Sequence, residues 1–169
     1  MKKEAKKRIY TSTILLLEEC PYEKLTISQI CLKAHISRQA FYIYYHSKDE
    51  VIKEVYINIL EKTYLDPGYK IQSDAFIEHV INIYDLHSHM FISLEKWYVI
   101  DYLSKENQRI IENLSTQSFN DPFIKKYSQY YLASILAPMH YMMMHWLYND
   151  KKETKEELKM IIKKFIYHQ

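Results

Sequence analysis

The chain has 169 residues, 48% of them hydrophobic and 26% charged, which suits one large globular domain or a small one fused to a larger, and excludes a disordered chain. Its single glycine, Gly68, and four prolines exclude a turn-rich all-β fold and any glycine-rich phosphate loop, and no apolar run approaches the ~20 residues of a membrane span. The net charge is only +2 but uneven: residues 1–48 hold nine Lys/Arg against four acids, and the remainder 14 against 17, so one end suits a polyanionic partner.

Ala5, Ile9, Thr13, Leu16, Leu17 and Cys20 recur at three- and four-residue steps and predict a first helix that Pro21 stops. Thr26-Ile27-Ser28-Gln29 reads as a capping box, in which the threonine hydroxyl and the glutamine side chain each satisfy a free amide. Ile27, Ile30, Cys31 and Ala34 then form the apolar face of a short second helix. His35-Ile36 is a tight turn, and Ser37 caps a third helix over 38–45. Ser47-Lys48-Asp49-Glu50 reads as a second capping box, ahead of a longer helix to about Tyr64. Asp66-Pro67-Gly68 is the clearest turn in the chain, and the domain boundary is placed there. It divides a DNA-binding domain over 1–48, with a linking helix to about 64, from a second helical domain over 65–169.

Beyond the turn, Phe76, Val80, Ile83 and Tyr84 mark one helix, Phe91 to Leu103 a second, and Glu106 to Leu114 a third. Asp121-Pro122 starts a long helix to Tyr148 with a kink at Pro138. Thr154-Lys155-Glu156-Glu157 is a third capping box, and Leu158, Ile161, Ile162, Phe165 and Ile166 give the last helix its apolar face. The fold class is all-α: an N-terminal three-helix helix-turn-helix domain, followed by a C-terminal helical domain for ligand binding and dimerisation. Cys20 and Cys31 both fall within helical apolar patterns and read as thiols in a reducing compartment. The basic N-terminus lacks a signal peptide's apolar stretch, so a cytoplasmic location is expected.

Thr26 to Tyr45 has the size of a helix-turn-helix, whose second helix enters the major groove with its first residues at the base edges. Ser37, Arg38 and Gln39 stand there. Arginine binds guanine bidentately and glutamine binds adenine. Tyr42 and Tyr44 carry hydroxyls that reach toward phosphate, and Lys48 sits in a helix's first turn, where free amides also favour anions. Short helix pairs with polar surfaces are common, however, so spacing alone leaves an ordinary solvated surface as the other reading.

The stretch T-I-S-Q-I-C-L-K-A-H-I-S-R-Q-A-F-Y-I-Y-Y-H-S-K-D-E-V resembles the N-terminal motif of the TetR-type bacterial transcriptional regulators, in one register without gaps, over roughly residues 5–60. That resemblance implies that Thr26 and Lys48 grip phosphates on either side of the groove, with Ser37, Arg38, Gln39, Tyr42 and Tyr44 as the recognition surface. The family's usual turn glycine is His35 here, which a left-handed backbone tolerates less well than glycine but better than a branched residue. Where the family often has glycine or proline stands Gln39, so target sequence does not carry over.

The resemblance also implies a C-terminal domain that dimerises and often holds a small effector. The last two helices, about 122–148 and 154–167, have apolar faces that two copies would join into a four-helix bundle; the other reading is that these faces close the chain's own core. Tyr84, Phe91, Trp97, Tyr98, Tyr102, Tyr127, Tyr131 and Tyr141 are the candidates for a pocket taking a small apolar or aromatic effector. Aromatic residues equally fill cores, and 17 tyrosines exceed what any pocket uses. The histidines form no complete metal-ligand set, and no catalytic motif stands out, so no metal, cofactor or enzymatic activity is expected. The functional expectation is a homodimeric repressor of double-stranded DNA released by an effector. The alternative is a protein-interaction adaptor or co-activator on the same fold, without a small ligand.

Overall fold

A computed structural model describes residues 2–66, 68–95, 100–115 and 119–167. In chain order the helices are α1 (Lys2–Glu19), α2 (Ile27–Ala34), α3 (Arg38–Tyr42), α4 (Lys48–Tyr64), α5 (Asp74–Leu86), α6 (Ser88–Glu95), α7 (Ile100–Ser115), α8 (Pro122–Lys126), α9 (Ser128–Tyr148) and α10 (Lys155–Ile166), with a 3-10 turn at Tyr22–Lys24. The fold is all-helical, and no described residue lies in a strand. No described helix is long and apolar enough to cross a membrane. The chain forms two compact units, Met1–Leu60 with His87–Trp97, and Glu61–Leu86 with Tyr98–Gln169.

In the first unit, α1 buries Ile9, Thr13 and Leu17 against α2 and α6. The Thr13 hydroxyl turns back to donate to the Ile9 carbonyl at 2.9 Å, so its burial leaves no unmet hydroxyl. Ile30, Phe41, Val51, Ile52 and Val55 complete the core. Full burial of Phe41 alone contributes about 1.5–3 kcal/mol. Residues 87–95, which the pattern of turns puts in the second domain, belong to this unit. His87 pairs with Glu18 at 3.0 Å, and the Tyr22 amide donates to the Ser93 hydroxyl at 2.7 Å. Neither contact leaves a periodic signal in the sequence.

In the second unit, α5 buries Phe76, Val80 and Tyr84 with Ile77 and Ile81, and packs against α9 and α10. Ile83, expected on that face, is only half-buried. A hydrogen-bonded chain crosses the core: the Tyr84 hydroxyl meets the Tyr64 hydroxyl at 3.0 Å and His140 Nδ1 at 2.5 Å. Such a chain lets large tyrosines be buried without stranding their polar ends.

Several helix boundaries differ from the sequence expectation. The third helix ends at Tyr42 rather than Tyr45, because the amides of both Tyr44 and Tyr45 turn onto the Phe41 carbonyl. The long helix from Pro122 is broken at Tyr127, whose φ of −116° and ψ of 30° leave the helical region, so α8 and α9 are separate. Pro138 lies inside α9, as expected. The helices expected over 91–103 and 106–114 are instead α6 and α7: α7 is already under way at Ile100, and Ser104 and Lys105 are no barrier to a helix. Residues 96–99 lie outside the described ones. Phe165, expected on the buried face of α10, is 66% exposed, whereas Leu158 and Ile162 are buried.

Candidate nucleic-acid interface

The Thr26 capping box forms as its residues dictate. The Thr26 hydroxyl accepts from the Gln29 amide at 3.2 Å, and Gln29 Oε1 accepts from the Thr26 amide at 2.8 Å. At the far end of α2, His35 takes the left-handed conformation, φ 52° and ψ 51°. The Ile36 amide then reaches back to the Cys31 carbonyl at 3.0 Å, satisfying a helix-end acceptor. Burial pushes the Cys31 thiol up, away from the reactive thiolate. Ser37 caps α3 by accepting from the Ala40 amide at 3.1 Å.

Behind that cap, the first turn of α3 presents Arg38 and Gln39 to solvent while Phe41 is fully buried between the helices. One face of a five-residue helix thus fixes its angle and the other is open. Tyr42 is 44% exposed and stands edge-on to Phe41, ring centroids 5.6 Å apart. Tyr44 is half-buried just past the helix end.

Lys48 and the start of α2, far apart in sequence, are brought together. The Lys48 ammonium donates to the carbonyls of Tyr22 and Leu25, each at 3.0 Å, and lies 4.2 Å from the centroid of the Tyr22 ring. Leu25 immediately precedes the Thr26 cap. Lys48 therefore ties α4 to the entry of α2, and two of its three donors are engaged inside the protein. Tyr22 completes the arrangement, its hydroxyl donating to Asp49 at 2.6 Å. Burial first, then the hydrogen bond to Asp49, push this phenol up to about 12. No sequence signal marks Tyr22, which sits in a connection with no periodic partner. At the second expected box, Ser47 accepts from the Glu50 amide at 3.2 Å, but the Glu50 carboxylate reaches one residue further back, to the His46 amide at 2.6 Å.

The residues expected to line an effector pocket differ in burial and are divided between the two units. Tyr84 and Phe91 are buried, in different units. Tyr131 is half-buried, and Tyr127 and Tyr141 are exposed, Tyr141 by 72%. Trp97, Tyr98 and the Tyr102 side chain lie outside the described residues.

Two short helices held by caps at both starts, with the second offering an open first turn, define a helix-turn-helix DNA-binding head on an all-helical protein. Residues 9–55 match the family described as bacterial regulatory proteins, tetR family, so the resemblance in sequence falls on the helix-turn-helix segment. Among solved structures, it is similar to a TetR transcriptional regulator from Streptococcus agalactiae 2603V, with a TM-score of 0.64 and 19% identity, over 98% of this chain and 94% of the other. It is also similar to the dihydroxyacetone kinase operon activator DhaS, with a TM-score of 0.60 and 17% identity, over 98% and 95%. At such identities the likeness is one of fold. No curated protein matches the sequence.

Proposed function

We propose that the protein is a homodimeric, sequence-specific transcriptional repressor, acting in the bacterial cytoplasm and released from DNA by a small effector. The observation that carries the DNA reading is the open first turn of α3, where Arg38 and Gln39 are exposed and make no hydrogen bond or ion pair among the described residues. Arg38 and Gln39 read base edges. Thr26, Ser37, Tyr42, Tyr44 and the remaining donor of Lys48 hold phosphates and set the register.

The dimer forms through α9 and α10. Tyr130, Tyr141 and Tyr148 lie exposed on α9, and Met160 and Phe165 on α10. An exposed apolar face of that kind, doubled about a two-fold axis, gives a four-helix bundle and the two heads that a palindromic operator needs. The effector is small and apolar or aromatic, held in the C-terminal helical domain among the aromatic residues there. Its binding tilts α4 and changes the separation of the two α3 helices, which by linkage makes DNA weaken effector binding equally.

A second reading has one observation in its favour. DhaS, similar in fold over nearly the whole chain, is named an activator, and an activating or adaptor protein of this fold has no need of a small ligand. The discriminating measurement is fluorescence anisotropy with DNA from upstream of the protein's own gene, against scrambled DNA, across a salt series. The repressor reading expects two protomers per site, preference for the upstream sequence and a steep fall of affinity with salt. Sequence-blind binding would turn the assignment toward the adaptor.

A further inference from the structure

Between α1 and the end of α2 lies a cleft of about 190 Å³ whose walls include Lys7, Arg8, Thr11, Lys33 and His35. Glu4 is the one acid among the lining residues. The cations here are not equivalent. Lys33 is neutralised by an ion pair with Glu19, and Lys6, one residue outside the cleft, pairs with Glu54 at 3.0 Å. Lys7 and Arg8 are exposed and have no ion pair or hydrogen bond among the described residues. The cleft therefore keeps two free cations against one carboxylate, beside the Thr11 hydroxyl.

Its position gives the excess charge a use. His35 is two residues before Ser37, the cap of the recognition helix, so their Cα atoms are at most about 7.6 Å apart. The major groove is about 12 Å wide. When the first turn of α3 sits at base edges, the phosphates bordering the groove fall within reach of a cleft that begins at His35. We propose that this cleft seats a DNA backbone phosphate flanking the half-site, with Lys7 and Arg8 as its cations and α1 as a second DNA-contacting element. The proposal rests on the DNA-binding reading of α3 but concerns different residues, and it explains why the basic excess of the N-terminal quarter extends back into α1.

The test uses the full chain and a labelled duplex of mixed sequence, so no operator need be known. Anisotropy titrations across a potassium chloride series compare the wild type, the double variant Lys7→Ala/Arg8→Ala, the charge-keeping Lys7→Arg/Arg8→Lys, and Lys152→Ala on the second unit. The expected result is a log–log salt slope shallower by about 0.9 per protomer for the alanine pair, one phosphate's worth, with the charge-keeping pair and Lys152→Ala at the wild-type slope. Both cleft residues are exposed, and unchanged circular dichroism confirms that the alanine pair folds. A wild-type slope in the alanine pair overturns the proposal, as does an equal loss in Lys152→Ala, which makes the effect one of net charge. Absence of any wild-type binding at low salt overturns the DNA-binding reading and the proposal together.

Discussion

Lys163 of α10 donates to Asp74 of α5 across 2.8 Å, at one end of a ladder that joins the two helices in the second unit. Lys159 stands between Asp74 and Glu78, Lys155 reaches Asn82 and Asp85, and Lys151 reaches Asp85 at 2.6 Å. Along α5 the acceptors step by three or four residues, and along α10 Lys155, Lys159 and Lys163 step by four, the repeat that keeps side chains on one face of a helix; Lys151 joins from the turn before α10.

Asp85 is the rung best placed for a pH test, since it accepts from two lysines and is less exposed than Asp74, which also does. Hydrogen bonds from Lys151, then Lys155, hold its carboxyl below the ordinary value of 3.8. A carboxylate lowered on folding adds stability above its unfolded value, and that stability is lost as pH falls through the lowered one. With the side chain about a third exposed, Asp85→Asn is expected to cost at most about 1 kcal/mol at pH 7. Thermal unfolding should show the difference at neutral pH and none well below pH 3.

Lys48 carries two duties that substitution separates. Lys48→Ala removes both donors that tie α4 to the carbonyls of Tyr22 and Leu25, and urea unfolding should show a loss of about 1–2 kcal/mol. DNA affinity should fall alike for all sequences, because a phosphate contact carries little sequence information. Unchanged stability would mean that the Lys48 clamp contributes nothing to the head.

Arg38→Ala leaves the fold intact, its side chain being exposed, and should cost ~1–3 kcal/mol in operator binding while relaxing preference at one base position. Tyr42→Ala is expected to weaken binding to all sequences uniformly. Competition assays with single-base operator variants read the two effects apart. Unaltered preference in Arg38→Ala would remove α3 from the recognition role.

His35 holds a backbone conformation that costs a non-glycine residue about 1–2 kcal/mol. Glycine recovers that cost but gives up about 0.5–1 kcal/mol of chain entropy. His35→Gly should therefore raise stability by roughly 0.5–1 kcal/mol, seen as a higher melting temperature. A fall in stability would mean that the His35 side chain contributes more through its contacts than its backbone costs.

Local chemistry made the head readable from sequence alone. Thr26 with Gln29, and Ser37 with Ala40, are contacts within one helical turn, and the tight turn at His35-Ile36 falls between two helix signals. The TetR resemblance lies in that same stretch, because a recognition helix needs particular side chains at particular offsets. Helix ends were less legible: Tyr44 and Tyr45 keep an apolar rhythm past the end of α3, and nothing in Phe123 to Tyr130 announces the break at Tyr127.

What the tertiary structure alone decided joins residues far apart in the chain. Lys48 meeting Leu25, Glu18 meeting His87, Tyr84 bridging Tyr64 and His140, and the lysines of α10 meeting the acids of α5 all depend on how helices pack. Periodicity states which face of a helix is apolar, but not which other helix covers it. The sequence thus determined the helical class and the recognition turn, where the partners are three or four residues away. Packing decided which charges are engaged and which, like Lys7 and Arg8, are left free, because that depends on the distance to acids elsewhere in the fold.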